Sequence, residues 1–362
     1  MRSFHLVQKD KLETGKLFHA RSLGLLNPHS IEPEFTMTRL KIAENNYSCE
    51  PEETVLDALL RQDVDISYAC QKGTCQSCIA RCTDGTPPVQ SQSGLKDTLR
   101  SQNYFLSCLC VPEQDMTIRL PDQSELFSEG VVIVNEMLNR NTILLKVECQ
   151  DILEYKAGQF VNLQRKDGLT RSYSIANTPE ESKALEFHIR RLPGGQFSEW
   201  VHDVIKVGDT LAISEPKGHC FYIPERKQEG ILLVGTGSGL APLAGILTDA
   251  LSHGHTGPIH LFHGSREKED LYRIDEMRAL TEKYKNFSYT PCISGENVPE
   301  GFKHGRVNTV ALEEVSDLKG WRVFLCGHPE MISQMKTQVF LKGASIADIY
   351  TDAFIVSTEQ EK

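Results

Sequence analysis

Apolar and polar residues alternate through TRLKIAE from Thr38 and again through YSCE, which predicts two short strands. Asn45-Asn46 between them suggests a hairpin turn. In ETVLDALLRQD the apolar residues Val55, Leu56, Leu59 and Leu60 recur with helical period. A cysteine-rich loop spans 70–82, and MTIRL closes the unit as a strand near residue 120. After PDQSELFSEG, short strand-like runs follow one another: GVVIVNEML, TILLKVEC, QFVNLQR, ALEFHIRRL and TLAISEP. Turn signals separate them and helical period is scarce, which predicts a sandwich or barrel. From Gly230 the pattern changes again. ILLVG, HLFHGS and WRVFLCG read as buried strands, and GSGLAPLAGILTDALSHG, DLYRIDEMRALTEKY and PEMISQMKTQVFLKG as helices. Strand–helix alternation predicts a doubly wound parallel α/β sheet.

These changes of period divide the 362 residues into an N-terminal extension over 1–36, an α+β domain over 37–121, an antiparallel β-barrel over 127–226 and an α/β domain over 229–362. Hydrophobic residues make up 40% and charged residues 24%, so each domain can bury a core without disulfide staples. The net charge of −10 argues against a nucleic-acid partner and suits docking on a basic protein face. No run reaches the ~18–20 apolar residues of a membrane span, and the first residues lack a signal-peptide core. The expectation is a soluble, cytoplasmic protein with no membrane partner. Eleven cysteines in a reducing compartment point to ligands, active-site thiols or core residues rather than disulfides.

Cysteine spacing carries the strongest chemical signal. Cys70, Cys75 and Cys78 form C-x4-C-x2-C, with Cys108 thirty residues further on. That is the spacing of plant-type [2Fe–2S] clusters, where two irons and two sulfides need four terminal thiolates. Gly73 serves the tight loop around them. FLSCLCVPEQD offers Cys108 and Cys110; the segment resembles ferredoxins in which the ligand precedes a proline by four residues, which selects Cys108 and leaves Cys82 and Cys110 as core residues. A structural zinc site would need a second C-x2-C knuckle, which is absent. Gln76 stands where such loops commonly carry glycine.

RSYSIAN at 171–177 resembles the R-x-Y-S flavin motif of the ferredoxin reductase superfamily. The resemblance implies that Arg171 pairs with the flavin phosphate, that Tyr173 packs on the isoalloxazine and that Ser174 hydrogen-bonds near its N5, with Ser172 in the same contact strand. PGGQFSEWV, with Gly195, Gln196, Phe197 and Ser198, opens a helix whose N-terminus suits a pyrophosphate, implying FAD. His188, Ile189 and Arg190 fall where the family places its adenosine-side strand. In ILLVGTGSGLAPLAG, Gly235, Thr236, Gly237, Ser238, Gly239 and Pro242 follow a strand and open a helix, the context of a dinucleotide turn. FLCGHPEM is similar to the family's C-G-x-P motif, which implies that Cys326 and Gly327 lie beside the nicotinamide, with Tyr173, Ser174 and Cys326 as the catalytic set. His253, His255, His260 and His263 straddle a turn and a strand and read as ordinary histidines.

The module order resembles the reductase components of multicomponent bacterial oxygenases, such as the benzoate dioxygenase and methane monooxygenase reductases. The reductase of the CDP-6-deoxyhexose pathway shares it. The resemblance spans about 37–356 and implies a β-grasp ferredoxin domain, a flavin barrel and a nucleotide domain. It also implies an NAD(P)H-dependent electron-transfer enzyme with a protein acceptor, an oxygenase or another metalloenzyme. A sugar-deoxygenating dehydratase as acceptor, or a non-enzymatic iron–sulfur sensor, are the alternative readings. After HLFHG, Ser265 and Arg266 suit a 2′-phosphate whereas Glu267 repels one; the expectation leans to NADH, with NADPH as the alternative.

Overall fold

The computed structural model describes residues 37–95, 97–121, 127–149 and 154–354; the expected extension over 1–36 lies outside them. β1 (Thr38–Ile42) and β2 (Asn45–Cys49) pair antiparallel with Ile42 opposite Asn45, so Ala43 and Glu44 make the turn and Asn45-Asn46 belongs to the strand. Ala43 accepts a φ of 50°, and in this register fully buried Leu40 faces Tyr47. β3 (Ile79–Asp84), β4 (Tyr104–Leu106) and β5 (Met116–Arg119) complete a sheet of order β2-β1-β5-β3-β4. The helix Val55–Arg61 lies against it through Val55, Leu56, Ala58 and Leu59. Its start is set by Thr54, whose Oγ1 accepts the Asp57 N–H at 3.1 Å.

The second sheet is antiparallel throughout, in the order β10-β7-β6-β11-β8-β9. Its strands are β6 (Phe127–Asn139), β7 (Thr142–Cys149), β8 (Phe160–Gln164), β9 (Thr170–Ser174), β10 (Ala184–Arg190) and β11 (Thr210–Ser214). Just past β9, the Ala176 N–H donates to the Glu186 carbonyl at 2.8 Å, which joins the two outer strands and closes the barrel. Its core gathers Val132, Leu145, Val161, Phe187 and Ile213.

The third sheet is parallel throughout, in the order β15-β14-β13-β12-β16-β17. It comprises β12 (Gly230–Thr236), β13 (Ile259–Ser265), β14 (Phe287–Ile293), β15 (Lys303–His304), β16 (Trp321–Gly327) and β17 (Ile349–Ala353). Helices Leu240–Ser252 and Ile274–Lys283 cover one face, and Val307–Glu314 and Pro329–Leu341 the other. Buried on both sides, β12 and β16 are continuous apolar runs rather than alternating ones. Among the described residues no helix is long and apolar enough to cross a membrane.

Candidate redox site

Cys70, Cys75 and Cys78 lie on the loop before β3, and Cys108 on the single turn Ser107–Leu109 after β4. The thiols come as two pairs, Cys70 against Cys75 and Cys78 against Cys108, each within hydrogen-bond reach. The hydrogen bond with Cys70 draws the Cys75 thiol down to about 5, and Cys108 lowers Cys78 likewise, while Cys70 and Cys108 are pushed up. Backbone amides converge on the sulfurs: Lys72 and Cys75 each donate to Cys70 Sγ at 3.3 Å, and Cys70 donates to Cys75 Sγ at 3.4 Å. The loop achieves this by turning left-handed at Gln71, Gly73 and Gln76 (φ 52°, 75° and 58°). At Gln76, where a glycine would be free of strain, the side-chain Nε2 holds the Gly94 carbonyl at 2.9 Å. A Cβ on Gly73 would meet Leu109 Cδ1 at 2.3 Å, so only glycine lets Leu109, beside Cys108, close over the loop.

Among the described residues no three His, Cys, Asp or Glu side chains converge as a single metal ion requires. Two thiol pairs instead suit two irons, each with two terminal sulfurs, whereas one zinc needs four donors about one point. Cys110 belongs to neither pair. It is fully buried with Cys49 and Cys82 in the domain core, and burial pushes its thiol up to about 12.

On the barrel, β9 carries Arg171, Ser172, Tyr173 and Ser174. The Tyr173 ring lies 5.5 Å from that of Phe197, which is buried on the helix Gln196–Asp203. The motif strand and the glycine-opened helix thus meet at one edge. A Cβ on Gly195 would lie 2.6 Å from Ser198 Oγ, so the chain there stays bare backbone. Buried Ser198 closes the turn by accepting the Leu192 N–H and donating to the Gly195 carbonyl, both at 3.1 Å. A half-buried arginine, a flat aromatic face and a helix N-terminus are the donor set a flavin with a pyrophosphate tail requires. Ser172 faces away from Arg171 and Tyr173, as alternation demands.

β10 divides its side chains. Ile189 joins the barrel core, and exposed Arg190 reaches the glycine-rich turn, its Nη1 3.5 Å from where a Gly237 Cβ would sit. His188 faces neither. It is enclosed between barrel and nucleotide domain, with Nδ1 3.0 Å from Tyr272 Oη and Nε2 3.0 Å from Glu186 Oε1. Burial holds its pKa down. Burial alone would raise the Glu186 carboxyl, but His188, Lys146 at 2.9 Å and Arg273 at 2.9 Å outweigh it and hold it at about 2.

The two nucleotide motifs interlock through backbone. A Cβ on Gly239 would stand 2.4 Å from the Cys326 carbonyl oxygen, and one on Gly327 (φ 116°) 2.5 Å from Thr236 Oγ1. The same Thr236 Oγ1 accepts the His328 N–H at 2.9 Å. Gly237 is left-handed (φ 53°), Ser238 is partly exposed at the turn, and Pro242 is buried in the helix's first turn. His263 has a task its sequence context did not announce: fully buried and held neutral by desolvation, with a pKa of about 4, it bonds the Gly237 carbonyl at 2.9 Å. His253, His255 and His260 pair separately with Asp249, Tyr222 and Ser288 and gather no metal site.

Ser265 ends β13 and exposed Arg266 follows it, with the Ser265 hydroxyl donating to the Glu267 carbonyl. The Glu267 carboxylate is already engaged: Arg140, at the β6–β7 turn, pairs with it and with Asp270, each at 2.9 Å. Asn141 also donates to Asp270 at 3.0 Å.

Where barrel meets nucleotide sheet, Ser174 Oγ donates to Asp352 Oδ2 at 2.5 Å. Asp352 lies opposite Cys326 on neighbouring strands, and Cys326 Sγ is 3.8 Å from Cys220 Sγ. Desolvation lifts the Asp352 carboxyl to about 6 and keeps the Cys326 thiol protonated. Asp352 and Cys220 escaped the sequence reading because neither sits in a motif; an acidic residue in an otherwise strand-like run near the C-terminus was the one available sign.

Three family models match in series: a 2Fe-2S iron-sulfur cluster binding domain over 40–113, an oxidoreductase FAD-binding domain over 129–222 and an oxidoreductase NAD-binding domain over 233–337. The reductase component of the naphthalene 1,2-dioxygenase system of Pseudomonas putida is 31% identical, covering 83% of this chain and 93% of that protein. The phenol hydroxylase P5 protein of Acinetobacter pittii is 32% identical over 86% of this chain and 92% of its own length. Among solved structures, the Amycolatopsis cytochrome P450 reductase GcoB superposes with a TM-score of 0.63 at 28% identity, covering 88% of this chain and 98% of that one. With three domains in this order, and relatives of this likeness along most of its length, the chain belongs to the FAD- and [2Fe–2S]-containing NAD(P)H-dependent reductases of oxygenase systems.

Proposed function

We propose that the chain serves a terminal oxygenase component in the cytoplasm, with NADH as its ordinary donor and NADPH as a second. When bound, the flavin turns a two-electron hydride donor into a source of single electrons, and the cluster carries those electrons one at a time. Cys70 and Cys75 hold one iron, Cys78 and Cys108 the other. Arg171 and the bare N-terminus at Gly194-Gly195 take the flavin phosphates, and Tyr173 covers the ring. Ser174, oriented by Asp352, would offer its hydroxyl to the flavin, and Cys326 would face the nicotinamide as a neutral thiol. The turn Gly235–Gly239 takes the nicotinamide nucleotide, and Arg190 adds a cation at its mouth.

The observation that carries the reading is the packing of Cys70 and Cys75 against Phe160 on β8, the strand paired with the motif strand β9: a one-electron outlet beside a hydride acceptor. Anaerobic NADH should bleach the flavin in wild type and in Cys108→Ser alike, whereas NADH-dependent reduction of cytochrome c should collapse in the variant. Undiminished cytochrome c reduction in Cys108→Ser would refute the route. The preference between nucleotides is read from kcat/KM for NADH and NADPH in wild type and Arg266→Ala: an NADPH preference that vanishes in the variant would overturn the choice of NADH.

A further inference from the structure

One buried side chain ties the cluster loop to the flavin strand. Asn162 on β8 is 1% exposed. Its Nδ2 donates to the carbonyl of Cys75 at 2.9 Å, and its Oδ1 accepts the Ser172 hydroxyl at 2.7 Å. Both ends of the amide are committed, and reversing it would set its oxygen against the Cys75 carbonyl. Its backbone N–H donates to Ser214 Oγ at 2.9 Å, so the anchor is itself anchored. Phe160, two residues earlier, packs with Ala69, Cys70 and Cys75, and Gln164 donates to Ser67 at 3.2 Å. β8 thus presents a small apolar patch crossed by a polar seam, and the central contact of that seam is Asn162.

We propose that Asn162 is a positioning residue for electron transfer between the two prosthetic groups. It locks the backbone of Cys75 onto the strand that carries Tyr173 and Ser174, and so sets the separation across which single electrons pass. The proposal rests on the reading that Cys75 holds iron and that this strand carries the flavin. No bond is made or broken and no proton moves; the side chain determines distance and packing alone. Losing the amide would leave a buried carbonyl without its donor, a state that structures relieve by shifting backbone. Electron transfer slows steeply as the donor and acceptor move apart, so a shift of the Cys75 backbone reads directly as slower reduction of the cluster.

The test uses the loaded protein under anaerobic conditions, mixed rapidly with NADH, in wild type, Asn162→Leu and Ser172→Ala. Bleaching of the flavin band reports hydride arrival; loss of cluster absorbance reports onward transfer. In Asn162→Leu the first should stay at the wild-type rate while the second slows several-fold. In Ser172→Ala the second should slow relative to the first by a smaller factor. Independently of turnover, dithionite-reduced Asn162→Leu should give an EPR signal of altered line shape at unchanged intensity, because the Cys75 carbonyl has lost its donor. Unchanged cluster reduction in an Asn162→Leu protein that retains iron and flavin would overturn the proposal, as would equal slowing of both phases. If Asn162→Leu loses iron, Ser172→Ala decides, since it removes only the hydroxyl, and a wild-type ratio of the two phases there would refute the role. Iron content of Cys75→Ser separates a failure of the ligand reading from a failure of the proposal.

Discussion

Replacing Asp352 by Asn tests the joint between barrel and nucleotide sheet most directly. The carboxyl is lifted from 3.8 to about 6 by desolvation, against the opposing hydrogen bond from Ser174. A carboxyl raised on folding adds stability below its unfolded pKa and loses it as pH rises toward the folded one. The loss therefore runs from pH 3.8 to about 6 and levels off at about 3 kcal/mol. At pH 4.5 about 1 kcal/mol of it has already gone. The advantage of Asp352→Asn over wild type should thus grow by about 2 kcal/mol between pH 4.5 and pH 8, most of it before pH 6. Comparing the two pH values cancels any constant effect of the substitution on the Ser174 hydrogen bond. Urea unfolding of both proteins at a series of pH values measures the difference. A gap that does not change with pH would mean the carboxylate is solvated in the folded protein, and the argument that it orients Ser174 from a dry site would fail with it.

Three further outcomes follow from the same geometry. Cys110→Ser should keep the EPR signal of the reduced cluster while Cys108→Ser loses it; the reverse would exchange their assignments. Gly239→Ala puts a Cβ 2.4 Å from the Cys326 carbonyl, so it should destabilise the protein by about 1–3 kcal/mol in thermal unfolding and weaken NADH binding; wild-type behaviour in both would show that the two turns have slack. Gln76→Gly trades relief of a left-handed backbone against the hydrogen bond to Gly94, terms of about 1 kcal/mol each, so iron retention under urea should stay near wild type, and a large loss would show that the side chain rather than the φ angle holds the loop.

What the sequence disclosed follows a physical divide. The cofactor set was legible from short-range spacing: the cysteine intervals, R-x-Y-S and the glycine-rich turn fall in the three segments that the iron–sulfur, FAD-binding and NAD-binding family models match. Strands were legible where burial makes their pattern unmistakable, as in β12 and β16. The first hairpin turn was misplaced by two residues because asparagines favour turns, yet they gave way to the register that buries Leu40. Asp352, Asn162 and Arg140 were illegible for a different reason. Each is an ordinary polar residue whose partner lies far along the chain: Ser174 is 178 positions from Asp352, and Cys75 is 87 from Asn162. No local pattern encodes such a pairing; it exists only once the domains have docked. His188 shows the converse, a motif residue that tertiary packing turned into a joint.

That joint has two ionic fastenings of unlike character. Glu186 with Lys146, Arg273 and His188 is enclosed, whereas Arg140 and Glu267 are about half exposed, at 49% and 52%. Mobile ions screen the second pair far more than the first. Rising ionic strength should therefore weaken the Arg140–Glu267 pair, beside Arg266, more than the pairs around Glu186, and loosen that edge first. Amide hydrogen exchange should record it as faster exchange at Asn139–Asn141 in high salt with no change around Glu186, and uniform acceleration at both would contradict it. A reductase built this way would carry its salt response beside Ser265 and Arg266, the turn proposed to set its choice of nucleotide.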